Sequence, residues 1–228
     1  MSKVSPLVDS LIEAFQCLPG VGPKSAQRMV LHLLERNKNA GLILANTLSN
    51  ALESVDKCSN CRIFTEDEIC QICSNEKRNK KQICVVESVS DVYAIEMSNQ
   101  FTGQYFILHG HLSPIDDIGP EELGLEKLFA RAREEGIEEI ILATNSTLEG
   151  ETTSHFIYDK IKTIENLKVT KLARGVPLGG ELEYVDRGTI MHAFSGRQNK
   201  QHEDEMKVFF GLFITTLVNF TCGLAGFY

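Results

Sequence analysis

Four cysteines stand in the order Cys58-x2-Cys61, eight residues, Cys70-x2-Cys73, and no other stretch of the chain limits its folding so sharply. Each C-x2-C pair sets two sulfurs on one side of a tight turn. Two such turns closing on each other make the four-sulfur tetrahedron that Zn2+ favours. Nothing at the N-terminus has the charged start, apolar core and small-residue cleavage site of an export signal, so disulfides are disfavoured by compartment. A thioredoxin-type redox pair would be single and would sit where a strand opens a helix, whereas these two pairs lie in a polar, charge-mixed loop. Zinc is therefore preferred over disulfides, a redox pair or an iron–sulfur cluster. Four sulfurs leave no open position for water, so one structural zinc per chain is expected. Cys17, Cys84 and Cys222 sit in apolar surroundings and are expected to pack as small hydrophobes.

The 228 residues, 43% apolar, suffice for one main domain with smaller attachments. The net charge of -8 is unevenly spread. Residues 1–84 carry 11 Lys/Arg against 9 Asp/Glu, residues 85–166 carry 5 against 16, and residues 167–197 carry 5 against 3. A uniformly basic nucleic-acid footprint is absent, so any DNA contact must be local. The acidic middle could face a basic protein or hold a divalent cation. Solvated helix faces account for part of it, because 121–135 alone supplies five of the acids.

Apolar positions Leu7, Val8, Leu11, Ile12 and Phe15 follow a helical stripe, and Ala26, Met29, Val30, Leu33 and Leu34 follow a second, running to about Arg36. A third helix is expected over about 40–54. After the cysteines, short apolar runs alternate with helical patterns: strand 83–87, helix 90–97, strand 105–109, helix 121–135, strand 139–144, helix 151–165, strand 168–173. That alternation implies parallel strands with crossover helices.

Between the first two helices lies LPGVGPKSAQR. Gly20 and Gly22 permit positive φ, and Pro23 suits the first turn of the next helix, where no N–H is needed. The free amides at that helix start form a site for a phosphate oxygen. Lys24 and Arg28, four residues apart on one face, add sequence-independent phosphate contacts. An ordinary helix–helix turn is the bland reading of the two glycines. The full string resembles the helix-hairpin-helix motif of DNA repair proteins, which implies a DNA-backbone contact with Leu18 and Val21 anchoring the hairpin from below.

Strand 83–87 delivers Glu87 at its C-terminal end, and strand 139–144 leads into ATNSTLEGE. Ligands of open parallel sheets collect beyond the carboxyl ends of the strands, so Glu87, Glu149 and Glu151 are expected to converge there, where three carboxylates could hold Mg2+. The pattern resembles the Toprim domain of topoisomerases and primases. Here the second acidic element is E-G-E rather than D-x-D, and no nucleophilic tyrosine in a companion domain presents itself. A Toprim scaffold without catalysis is the expectation.

Hairpin, cysteines, Toprim-like sheet and KLARGVPLGGELEYVDRGTI follow one another in a single order. With YFILHGHLSPIDDIGPE at 105–121, ATNSTLEGE at 143–151 and ARGVPLGGELEYVD at 173–186, residues 5–197 resemble the bacterial recombination mediator RecR family. His109 and Asp117 depart from glycine in that family, and Ser146 from proline. The resemblance implies a cytoplasmic, nucleoid-associated DNA-repair factor that is not an enzyme. Such a factor would form a dimer or homotetramer ring on single-stranded, duplex or gapped DNA. It would associate with RecO and RecF and help load RecA onto single strands. Lys24 and Arg28 would face DNA, and Glu149 with neighbouring acids would meet the basic RecO partner. The rival from another class is a Mg2+-dependent Toprim nuclease or strand-passing enzyme using Glu87, Glu149 and Glu151.

The expected fold is α+β and multi-module: a helical helix-hairpin-helix over 1–54, a four-cysteine zinc module over 55–79, an α/β Toprim domain with a mainly parallel sheet over 80–166, and a C-terminal segment of strand and helix over 167–197. In that segment Gly175, Gly179 and Gly180 mark turns, and Leu182 and Tyr184 alternate as in a strand. The apolar extension 198–228 lies outside the resemblance. Its last 21 residues are uncharged, long enough to span a bilayer by the criterion of roughly 20. A tail anchor, a docked apolar segment and an extension without function stand open, the last slightly preferred, with a membrane role not expected of a repair factor.

Overall fold

The computed structural model describes residues 5–197 except 174 and 178. Two compact units divide between Thr170 and Lys171.

The first unit opens with three helices: α1 (Pro6–Phe15), α2 (Pro23–Arg36) and α3 (Lys38–Ser54). Proline stands in the first turn of both α1 and α2, where its fixed φ favours helix entry and no backbone donor is wasted. The α3 start is capped by Asn37, whose side chain accepts from the Ala40 N–H at 3.1 Å. Between α1 and α2 the turn closes through Val21 N–H donating to the Leu18 carbonyl at 3.1 Å, with Gly20 at φ +80°. Leu18 is half exposed, so it does not anchor the hairpin; Ala26 and Val30 are the fully buried side chains of α2. The turn is shaped by backbone bonds, and packing begins one helical turn later. Leu42, Ile43, Leu44, Leu48 and Leu52 of α3 all remain at least half exposed.

Strands β1 (Asp56–Lys57) and β2 (Phe64–Thr65) pair antiparallel around the first cysteine pair, and the short α4 (Gln71–Ser74) carries the last cysteine. The α/β module follows: β3 (Asn79–Val86), α5 (Val89–Ser98), β4 (Gly103–Ile107), α6 (Leu125–Ala132), β5 (Glu139–Leu142), α7 (Leu148–Ile161) and β6 (Lys168–Lys171). The sheet order is β4-β3-β5-β6, with β3 parallel to both β4 and β5. A full capping box, Ser88 with Asp91, starts α5 where the strand ends.

Alternation along β3 assigns its side chains to two cores. Ile83 and Val85 pack with Phe106, Leu128, Ile140 and Ile157 under α6 and α7. Cys84 and Val86 face the opposite way, with Tyr105, Ile107, Val92 of α5 and the four cysteines. The zinc module therefore covers one face of the sheet. The helix expected over 121–135 shrinks to 125–132, because Pro120 and Gly124, the latter at φ +66°, hold the preceding residues in turns. His109 and Asp117 both adopt positive φ, 60° and 56°, a backbone state that glycine occupies without penalty and other residues at about 1–2 kcal/mol.

The second unit contains a 3-10 turn at Leu182–Tyr184 and helix α8 (Arg187–Ser195). The strand expected at 182–184 is replaced by this turn, since the alternating Leu182 and Tyr184 are both exposed and have no sheet to join among the described residues. Asp186 caps α8, accepting from the Thr189 N–H at 2.9 Å. Among the described residues no helix is long and apolar enough to cross a membrane. The apolar run at 208–228, with Cys222, lies outside them.

Candidate metal centre and nucleic-acid interface

Cys58, Cys61, Cys70 and Cys73 are all buried, and their sulfurs lie within 4.8 Å of one another. With Zn–S bonds of about 2.3 Å, a tetrahedral site needs sulfurs about 3.8 Å apart, and Cys61 Sγ stands 3.4 Å from Cys70 Sγ. Backbone amides point at the sulfurs: Cys70 N–H donates to Cys58 Sγ at 3.3 Å and Cys73 N–H to Cys70 Sγ at 3.5 Å. Hydrogen bonds from Cys61 and Cys73 hold the Cys70 thiol well below its usual range, and the same bond to Cys70 drives Cys61 up. Four buried sulfurs crowded this closely suit a divalent cation bound by thiolates, since metal binding displaces the thiol protons. The donor set fits Zn2+, held by all four thiolates as a closed structural site.

The first knuckle is seated on the α/β module through three consecutive carbonyls. Asn60 O accepts from Arg131 Nη1 at 2.8 Å, Cys61 O from the Ile107 N–H at 2.9 Å, and Arg62 O from His109 Nε2 at 2.7 Å. In the other direction the Arg62 guanidinium donates to the carbonyls of Glu122 and Leu123 and lies over the Phe106 ring. Burial lowers the pKa of both Arg62 and His109. Of these seam residues the sequence marks His109 alone, as a departure from glycine; Arg62 and Arg131 carry no distinguishing signal there.

Of the remaining thiols, Cys84 is buried in the sheet, and burial pushes it up to about 12, as befits an inert core cysteine. Cys17 departs from the core expectation: it is exposed, because α1 has ended before it.

On the hairpin, a Cβ added at Gly20 or Gly22 would meet nothing within 4 Å, so the turn is open to solvent. Gly22 is the N-cap of α2 and carries no capping side chain. Lys24 and Arg28 are exposed on α2, and they line a shallow groove that continues through His32 to Arg36. The four side chains recur every fourth residue and so lie in one row, in which Lys24, Arg28 and Arg36 are the cations. His32 and Arg36 extend the pair singled out in the sequence; the same spacing announces them.

At the C-terminal edge of the sheet, Glu87 is buried and both its oxygens are engaged. Oε1 accepts from the Asn145 N–H at 2.8 Å and Oε2 from Asn145 Nδ2 at 2.7 Å, with His111 Nδ1 3.6 Å away. Gly150 packs so tightly behind that a Cβ there would stand 2.6 Å from Glu87 Oε1. Glu149 is exposed on the first turn of α7, and Glu151 follows in the same turn. Among the described residues the cysteines are the one group of three or more potential metal donors drawn together. The expected convergence of Glu87, Glu149 and Glu151 is thus not realised. Glu87 turns inward to hold the loop after β5, and the three do not fit a ready-made Mg2+ cage.

Four family descriptions match successive stretches: the RecR helix-hairpin-helix at residues 8–52, the RecR four-cysteine zinc finger domain at 55–75, the Toprim domain at 81–173 and the RecR C-terminal region at 175–198. The recombination protein RecR of Saccharophagus degradans is 54% identical over 194 residues, covering 85% of this chain and 98% of that protein. Cysteine tetrahedron, hairpin and sheet thus occur in the order and at the identity of one lineage, and the chain belongs to the RecR family of recombination proteins.

Proposed function

We propose that this protein is a non-enzymatic recombination mediator that binds the DNA backbone. In this reading it acts with RecO and RecF to load RecA onto single-stranded or gapped DNA, as a dimer or tetramer ring in the cytoplasm. The observation that carries the reading is the row of cations Lys24, Arg28 and Arg36, which begins at the open helix start after Gly20 and Gly22. Such an arrangement binds phosphates and has no base reader, in keeping with a protein that must act on any sequence. The acidic edge of the Toprim domain, with Glu149 exposed, is the complementary surface for a basic partner.

The test is DNA binding at stated salt on single-stranded, duplex and gapped substrates, with and without the cognate RecO protein. Binding that RecO leaves unaltered on every substrate would remove the mediator reading. The enzymatic alternative requires turnover: cleavage or relaxation of DNA in Mg2+ or Mn2+ that Glu87→Gln abolishes would replace the mediator reading. The engaged state of Glu87 favours no such activity.

A further inference from the structure

The loop after β4 contains a turn built to hold one apolar side chain in water. Ser113 and Ile118 exchange both backbone hydrogen bonds, at 3.1 and 2.9 Å. The Ser113 hydroxyl donates to Asp116 Oδ2 at 2.6 Å and accepts from the Asp116 N–H at 3.3 Å. Pro114 fixes its own φ, and Asp117 closes the turn at φ +56°. Both ends are rooted: Ser113 is buried, Leu112 and Ile118 pack against the core, and the Leu112 N–H donates to Thr153 Oγ1 on α7 at 2.9 Å. At the apex Ile115 is 96% exposed. A slack loop could fold an isoleucine back onto the protein; this turn, tied at both ends, cannot.

The turn stands at the C-terminal edge of the sheet, where the loops after β4 and β5 flank Glu87 and are joined through His111, Glu87 and Asn145. On the second loop Leu148 is 80% exposed. The two loops that form this edge, residues 108–124 and 143–151, contain no lysine or arginine. They do contain Asp116, Asp117, Glu121, Glu122 and Glu149, all exposed. Arg62, the cation that reaches in from the zinc module, is spent on the Glu122 and Leu123 carbonyls.

An apolar point rimmed by acids selects its occupant. A second copy bringing the same surface would set carboxylates against carboxylates, and DNA and anionic lipid are repelled for the same reason. A protein with an apolar recess rimmed by lysine and arginine satisfies both features. We infer that Ile115, presented by the 113–118 turn, is the apolar anchor through which the acidic edge docks a basic protein, with Leu148 on the adjoining loop as a secondary contact. This rests on the reading that the Toprim edge meets a basic partner, and names the side chain that makes the contact stick. Anchors of this kind dominate interface energetics, while the charged rim governs encounter and salt dependence.

The experiment titrates full-length protein with purified cognate RecO at several salt concentrations, comparing wild type, Ile115→Ser and Glu149→Gln. Ile115→Ser is expected to weaken binding about tenfold or more at every salt concentration, with its salt dependence and its own melting temperature unchanged. Glu149→Gln is expected to reduce the salt dependence. Wild-type affinity in Ile115→Ser, against a wild type that binds, overturns the anchor while leaving the basic-partner reading standing. A wild type that fails to bind RecO removes that reading and the anchor with it. If Ile115→Ser instead alters the protein's own oligomeric state and leaves RecO binding intact, the turn is a contact between copies and the inference is wrong.

Discussion

Arg131 on α6 donates to the carbonyl of Asn60 in the first zinc knuckle at 2.8 Å, although 71 residues separate the two in sequence. The same guanidinium also holds the Tyr105 carbonyl and Gln104 Oε1, so one side chain clamps knuckle, strand and helix together. Arg131→Ala is expected to cost about 1.5–3 kcal/mol, the usual worth of hydrogen bonds to a charged group. It should also speed zinc release to a chelator several-fold, because the knuckle loses its seat. Arg131→Lys should recover only part of this, since an ammonium cannot fork across three acceptors. Metal analysis should find one zinc per chain, and zinc release unaltered in Arg131→Ala would show that the knuckle is seated without this clamp.

The cationic row on α2 contacts phosphates alone in the proposed complex, so each cation removed should lower the salt dependence of DNA binding by about one counterion. Lys24→Ala with Arg28→Ala should lower the slope of log K against log salt by about two, equally for all sequences. Adding Arg36→Ala should remove about one more. A salt titration showing the wild-type slope in the triple variant would place the DNA elsewhere.

Arg78, at the exit of the zinc module, pairs with Glu96 of α5 and also donates to the Phe101 and Gly103 carbonyls. Glu96 further accepts from the Tyr105 hydroxyl at 2.6 Å. Hydrogen bonding from Arg78 holds the Glu96 carboxyl below its usual value, so the folded state favours the ionised form. The stability this contributes is present at neutral pH and is lost as pH falls from the ordinary glutamate range through the depressed value. Glu96→Gln should therefore unfold more readily at pH 7, by about 1–2 kcal/mol for a half-buried pair, with the gap closing in acid. Denaturant unfolding from pH 7 to pH 3 checks this; a gap independent of pH would assign the loss to packing.

Gly150 has ordinary helical surroundings but no room: a Cβ would collide with the Asn145 carbonyl oxygen and lie 2.6 Å from Glu87 Oε1. Gly150→Ala should destabilise by about 1–3 kcal/mol despite the better helix propensity of alanine, by forcing the loop off Glu87. Glu87→Gln keeps the shape and should cost less. Equal melting temperatures for Gly150→Ala and wild type would show that the loop yields freely.

By itself the sequence determined the metal centre and the approximate course of the long elements of the first unit. Apolar spacing predicted each long helix and strand of the first unit to within a few residues, since periodicity records which face is buried. Cysteine spacing is a local property, so the four sulfurs needed no tertiary information to be recognised. Along α2 the sequence reading stops at Lys24 and Arg28, although Arg36 keeps the same spacing. What only the tertiary structure decided involves residues far apart in the chain. Glu87 reads as a free carboxylate until Asn145, brought beside it by parallel pairing of β3 and β5, takes both its oxygens. Ile115 reads as one more apolar residue until the turn that bears it is seen to point away from every core. Arg62 and Arg131 become a reciprocal clamp only when the knuckle lies on the sheet. Hydrogen bonds and exposure depend on which segments the fold sets side by side, and a linear pattern carries that information only where both partners lie within one helix or turn.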